Sequence, residues 1–208
     1  MPSFLHPRFL VRLLVWLVLM TGFPAAALSA GASTVVVIDP GHGGHESGAV
    51  WGGVREKTVN LSIARRVEGI LRSHGYTTVM TRRSDVALSL SYRARVANQY
   101  RRSVLVSIHC NSDRYQRGRG IETYYAGSGG KRLARQIHRR LDMRTSTPNR
   151  GLKPCRFSVL CQTRGPSALV ECGFLSSKSE RRLLCTPAYQ QRVALAIAEG
   201  IAISVRGR

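Results

Sequence analysis

The sequence predicts a single α/β domain with a mostly parallel central sheet and helices on both faces. Three observations predict it. Short strand-like runs recur along the chain, the first of them β-branched and apolar on both faces like a strand inside a parallel sheet. Segments with apolar residues at helical spacing alternate with them, which is the pattern of crossover connections. Residues 31–208 hold no repeat, low-complexity tract or Pro/Ser-rich linker, and their length suits one core.

The first strand is Thr34 to Asp39 (T-V-V-V-I-D), closed by the loop Pro40-Gly41-His42-Gly43-Gly44. Glu56 to His74 reads as a helix, with Val59, Ile63, Val67, Ile70 and Leu71 on one face and Gly75 as its stop. Tyr76 to Thr81 alternates like a strand, and Ser89 to Tyr100 reads as a helix carrying Leu90, Ala94 and Ala97. Ser103 to His109 and Ile121 to Tyr125 are the next strands, followed by a helix over Lys131 to Met143. Arg144 to Pro154 is basic and loop-like, and Phe157 to Leu160 reads as a short strand. Ser167 to Glu171 (S-A-L-V-E) is a stronger one, ending in a turn at Gly173. Ala188 to Val205 closes the chain as a helix, with Val193, Ile197 and Ile201 at intervals of four.

Residues 1–30 stand apart from this domain. Arg8 and Arg12 precede the apolar run Leu13 to Phe23, and small residues follow, which is the layout of a secretory signal peptide. Those eleven residues rise only about 16 Å as a helix, short of a hydrocarbon core of roughly 30 Å. Cleavage after Ala27 and cleavage after Ala30 both fit. The expected mature product, 31–208, is periplasmic or secreted to the cell wall, monomeric, and without a stable membrane span. Its formal charge is extreme: +21 for the chain, and +19 once Arg8 and Arg12 leave with the signal. Such a charge concerns partners rather than fold. Export turns the expectation from nucleic acid towards anionic membrane surface, wall polymers or the carboxylates of stem peptides. Five cysteines, Cys110, Cys155, Cys161, Cys172 and Cys185, contain no C-x-x-C pair, so a structural zinc knuckle is not expected. If Phe157 to Leu160 is a strand, Cys155 and Cys161 lie too far apart to pair.

In open α/β sheets the ligand crevice lies beyond the carboxyl ends of the strands. His42 follows the first strand, His109 ends the strand from Ser103, Glu171 ends the strand from Ser167, and Glu56 opens the first helix. Two imidazoles and two carboxylates therefore gather at one edge. Nitrogen and carboxylate oxygen form a donor set suited to Zn²⁺, and a catalytic zinc takes three protein ligands with one open position. The count is three ligands and one free carboxylate. Gly41, Gly43 and Gly44 let the backbone pass close to a metal or substrate. Ser107 and Ser167 have no histidine–acid arrangement to activate them, so a serine hydrolase is not expected.

The motifs V-V-V-I-D-P-G-H-G-G, R-E-K-T-V-N-L-S-I-A, V-S-I-H-C-N-S, G-I-E-T-Y-Y and A-L-V-E-C-G-F stand in the order found in the zinc-dependent N-acetylmuramoyl-L-alanine amidases. The resemblance to this cell-wall amidase family covers about residues 34 to 204. It implies one zinc per chain held by His42, Glu56 and His109, with Glu171 as the catalytic carboxylate. It implies peptidoglycan as partner and cleavage of the amide bond between N-acetylmuramic acid and the L-alanine of the stem peptide. A zinc peptidase acting within the stem, or a non-catalytic basic protein that binds wall polyanions, are the alternative readings.

The chain departs from the family where His45 and Glu46 replace the usual lysine and aspartate, and His45 is left outside the metal set. Cys110 and Cys172 each follow a proposed site residue on a strand, so their side chains are expected in the core on the opposite face. Asn111 is expected to orient a ligand or cap a loop, Glu122 to pair with an arginine, and Asp85 with Arg93. Some members carry a helical insertion that plugs the metal; the stretch from Lys131 to Gly151 leaves little room for one.

Overall fold

The computed structural model describes residues 34–206. Three parallel strands form the middle of its sheet: β1 (Val35–Pro40), β5 (Ser103–Asn111) and β8 (Ser167–Phe174). Outside β1 lies β4 (Thr78–Met80), also parallel; outside β8 lies β6 (Ile121–Ala126), antiparallel, and then β7 (Asn149–Pro154). The order is β4-β1-β5-β8-β6-β7, a mostly parallel sheet of six strands. A two-stranded hairpin, β2 (Val50–Trp51) and β3 (Val54–Arg55), stands apart from it.

The central strands are apolar on both faces because both faces are covered. Val36, Ile38, Val104, Val106, Ile108 and Val170 pack with α1 (Glu56–Ser73), α3 (Gly127–Arg144) and α6 (Pro187–Arg206) in the larger core. The intervening residues Val37, Leu105 and Leu169 point the other way. They pack with Val96 and Ala97 of α2 (Leu90–Asn98) and with Val159 and Leu160 of α4 (Ser158–Cys161). Fully buried side chains such as Ile63, Leu71, Ile137 and Ile197 fasten the three long helices to the first face, each contributing roughly 1.5–3 kcal/mol. Among the described residues, the helices packed on the second face are the two short ones, α2 and α4.

Several elements differ from the sequence expectation. The basic stretch expected as a loop contains β7, an edge strand that β6 recruits through backbone hydrogen bonds that no side-chain pattern announces. Phe157 to Leu160 is not a strand; the segment turns into α4, whose first bonds close on Phe157. The extended spacing that kept Cys155 from Cys161 is therefore absent, and all five cysteines are free thiols. The β2–β3 hairpin and α5 (Lys178–Leu184) are too short to show periodicity. Helix α3 begins at Gly127, ahead of Lys131, running through three glycines that weaken the helical signal. Residues 1–30, read as a signal peptide, lie outside the described residues. No helix among the described residues is long and apolar enough to cross a membrane.

Candidate metal centre

Strand β1 delivers its C-terminal loop to the carboxyl edge, and two buried arginines hold it there. Asp39, 1% exposed, accepts hydrogen bonds from Thr81 Oγ1 (2.6 Å), Ser107 Oγ (2.7 Å) and Arg93 Nη1 (2.8 Å). Arg93 also donates to the carbonyls of Pro40 (2.8 Å) and His42 (3.0 Å). Arg82 donates to those of Pro40 and Gly41, both at 2.9 Å. Lys57 donates to the Gly44 carbonyl and to Asp85, both at 2.7 Å, while Asp85 accepts from the Gly44 amide. The expected Asp85–Arg93 pair is thus replaced by Asp85–Lys57 and Asp39–Arg93. With its carbonyls pinned, the loop keeps His42 at φ 59°, a left-handed conformation costly for a residue with a Cβ.

His42, Glu56 and His109 meet here, with one ligand atom from each lying within 4.8 Å of the others. Glu56 is brought by the start of α1, and the hairpin guides it: the Glu56 amide donates to Ala49 O, and Glu56 Oε2 accepts from the Ala49 amide, both at 2.9 Å. Glu56 Oε1 lies 2.9 Å from His109 Nδ1, and Oε2 lies 3.2 Å from His42 Nε2. Oε1 further accepts from Asn60 Nδ2 (3.1 Å) and the Cys110 amide (3.2 Å). Burial opposes the charge on Glu56, but the hydrogen bonds and charges of His109 and His42 outweigh it and hold the carboxyl far below its usual range. The two imidazoles are edge to face, with centroids 5.0 Å apart.

Two glycines make this approach possible. A Cβ on Gly41 would lie 2.2 Å from Cε1 and Nε2 of His109, and one on Gly48 would lie 2.4 Å from Glu56 Oε2. Gly41 is part of the loop singled out in the sequence. Gly48 is not; its requirement arises only when α1 folds back across the loop.

Glu171 is the register partner of His109 on one side and of Glu122 on the other, so the three side chains form a row across β5, β8 and β6. The row lies on the face that packs against α2 and α4. Glu171 Oε2 is buried without a hydrogen-bond partner. Burial, then the negative charges of Glu56 and Glu122, push its pKa well above the ordinary value. Cys110 and Cys172 are buried in the core on the opposite face. His45 is exposed and outside the cluster. Asn111 does not orient an imidazole: Nδ2 donates to Glu122 (2.9 Å) and Oδ1 accepts from the Ser112 amide (2.7 Å). Glu122 pairs with both Arg150 and Lys153. Arg82 and Asn60, which hold the loop and Glu56, were missed by sequence reasoning; a buried arginine has no pattern that separates it from the many exposed ones.

Two ring nitrogens and a carboxylate oxygen around one point, with an unpartnered buried carboxylate oxygen in the same row of strands, fit a divalent ion of zinc's intermediate softness. Fold and site together define an α/β domain with a candidate metal centre at the carboxyl edge of its sheet. Residues 36–203 match the N-acetylmuramoyl-L-alanine amidase family (Amidase_3), and the chain belongs to that family. It is 37% identical over 169 residues to N-acetylmuramoyl-L-alanine amidase LytC of Bacillus subtilis (strain 168), spanning 79% of this chain but about a third (34%) of that relative. The germination-specific N-acetylmuramoyl-L-alanine amidase of the same organism is 34% identical over 184 residues, 80% of this chain and 78% of the relative. Among solved structures, the catalytic domain of CwlV from Bacillus (Paenibacillus) polymyxa var. colistinus superposes with a TM-score of 0.81 at 39% identity, covering 84% of this chain and 99% of that one. AmiC2 of Nostoc punctiforme gives 0.80 at 38% identity, with 86% and 99% covered.

Proposed function

We propose that this chain is a zinc-dependent N-acetylmuramoyl-L-alanine amidase of the cell wall, which hydrolyses the amide between the lactyl group of muramic acid and the first alanine of the stem peptide. The observation that carries the reading is the convergence of His42, Glu56 and His109 beside Glu171, in a chain of the amidase family. His42, Glu56 and His109 would hold the ion. Zinc bound there supplies Lewis-acid chemistry, polarising a carbonyl and lowering the pKa of water from 15.7 towards about 7.

Glu171 is the proton carrier. Its buried Oε2 has no protein donor to satisfy it, so it is free to take a proton from the attacking water. The same oxygen then delivers that proton to the departing nitrogen of alanine. Its raised pKa in the metal-free protein favours holding the proton between the two transfers, and a nearby cation favours the ionised form that begins the cycle. Glu56, kept ionised by its two histidines, serves as a ligand rather than an acid. Between α3 and β7 the chain runs directly from Arg144 to Asn149 with no helix to plug the centre, and activity of the purified domain without an activator is the expected outcome. Export by way of residues 1–30 places it with its substrate, and the basic surface favours anionic wall polymers.

Mass spectrometry of digested peptidoglycan tests the reaction: free glycan and intact stem peptides are expected, and a shortened stem still joined to sugar would refute it. Glu171→Ala is expected to retain zinc and lose turnover, whereas His42→Ala and His109→Ala lose both. A Glu171→Ala protein with near-normal activity would sink that assignment.

A further inference from the structure

Glu122 sits one strand beyond Glu171, 2% exposed, with all its acceptor capacity engaged. Asn111 Nδ2 (2.9 Å) and the Tyr124 hydroxyl (2.7 Å) donate to Oε2; Arg150 Nε and Lys153 Nζ (2.8 Å) donate to Oε1. A carboxylate held by four donors, and lowered in pKa despite its burial, is poorly placed to move protons. It works as an anchor. The two cations it anchors come from edge strand β7, and their side chains remain 42% and 38% exposed. Each is also placed against a ring, Arg150 over Phe174 (5.2 Å) and Lys153 over Tyr124 (5.8 Å).

One carboxylate against two cations leaves a net positive charge in this cluster, fixed beside the row that contains His109 and Glu171. Among the described residues, Glu122 is the only acidic group paired with either cation. The guanidinium uses Nε on Glu122, and among the described residues its Nη atoms make no ion pair with a carboxylate. Such a fork matches a second carboxylate in two-point geometry, with an ammonium beside it as a point charge.

We propose that Arg150 and Lys153, set in place by Glu122, form a recognition site for a carboxylate on the stem peptide and mark the peptide side of the groove. This inference rests on the amidase reading. In that substrate the muramic carboxyl is consumed in the scissile amide, and the remaining sugar groups are hydroxyls and acetamides without charge. The anionic groups near the cut therefore belong to the peptide. Glu122 is a positioning residue; Arg150 and Lys153 are the specificity determinants.

The test compares two ligands on the zinc-loaded full chain carrying Glu171→Gln, which prevents turnover. One is a muramoyl-L-alanyl peptide whose second residue bears a free carboxylate; the other is the same peptide amidated at that group. Calorimetry is expected to show the acid binding about tenfold more tightly than the amide, the worth of a charge-assisted hydrogen bond at a half-exposed site. Adding Arg150→Gln and Lys153→Met together should bring the ratio to about one. Either substitution alone should lower it severalfold, which keeps the test open if the double variant does not fold. Equal binding of acid and amide to the parent, or a ratio that survives the substitutions, overturns the proposal. Cleavage by the unsubstituted chain without a preference for the acid overturns this inference and leaves the amidase reading standing. Preferential binding without any cleavage does the reverse.

Discussion

Replacing Gly41 with alanine tests whether the candidate metal centre depends on the backbone passing beside His109. Gly41 is not in a left-handed conformation, so the substitution adds a methyl group without a backbone penalty. That methyl carbon would lie 2.2 Å from both Cε1 and Nε2 of His109, where ordinary contact begins at 3.4 Å. The ring must therefore retreat by roughly 1.2 Å, and its neighbours oppose the shift. Its strand is locked between β1 and β8, its Nδ1 is bonded to Glu56, and the His42 ring faces it at 5.0 Å. A displacement of about an ångström at a reacting centre costs on the order of a hundredfold in rate, and disturbed support of a ligand costs about 10- to 100-fold in metal affinity. Zinc affinity is measured by competition with a chromophoric chelator, alongside turnover on purified peptidoglycan. Gly53→Ala provides the contrast: its φ is +76° with nothing within 4 Å, so it should lose roughly 1–2 kcal/mol of stability and no zinc affinity. A Gly41→Ala protein that binds zinc and turns over like the parent would refute the reasoning.

Two further outcomes follow from buried charges. Asp39→Ala leaves Arg93 buried without its carboxylate and removes acceptors from Thr81 and Ser107; chemical denaturation should show a loss of about 3–5 kcal/mol, and a loss under 1 kcal/mol would contradict the role given to this pair. Glu171→Gln removes an acid whose folded pKa is raised above 4.5. The stabilisation from holding that proton is complete below the unfolded pKa and fades as pH climbs towards the folded one. In metal-free protein the variant should therefore gain on the parent by up to about 1.4 kcal/mol per pH unit between the unfolded and the folded pKa. Parallel stability curves from pH 4 to 7 would show that Glu171 is not buried as described.

What could be read in the sequence is what repeats or ends a repeat. The apolar runs at Val35–Ile38, Val104–Val106 and Ala168–Val170 reveal strands with two covered faces, and 3.6-residue spacing reveals α1 and α6. Because crevices form at the carboxyl ends of parallel strands, His42, His109 and Glu171 could be assigned to one edge from their places after those runs. β7, α4 and the hairpin stayed hidden because they are short. An edge strand is chosen by the neighbour it pairs with, not by its own residues.

Chain order and residue type by themselves determined the fold class, the two histidines and two carboxylates of the site, and the core positions of Cys110 and Cys172. Only tertiary structure decided that Asp39 and not Asp85 meets Arg93, that Oε2 of Glu171 is buried without a partner, and that Glu122 gathers both Arg150 and Lys153. The reason is physical. Burial and periodicity are imposed on each segment locally and leave a trace in it, whereas the partner of a charged side chain is set by distances between segments far apart in the chain.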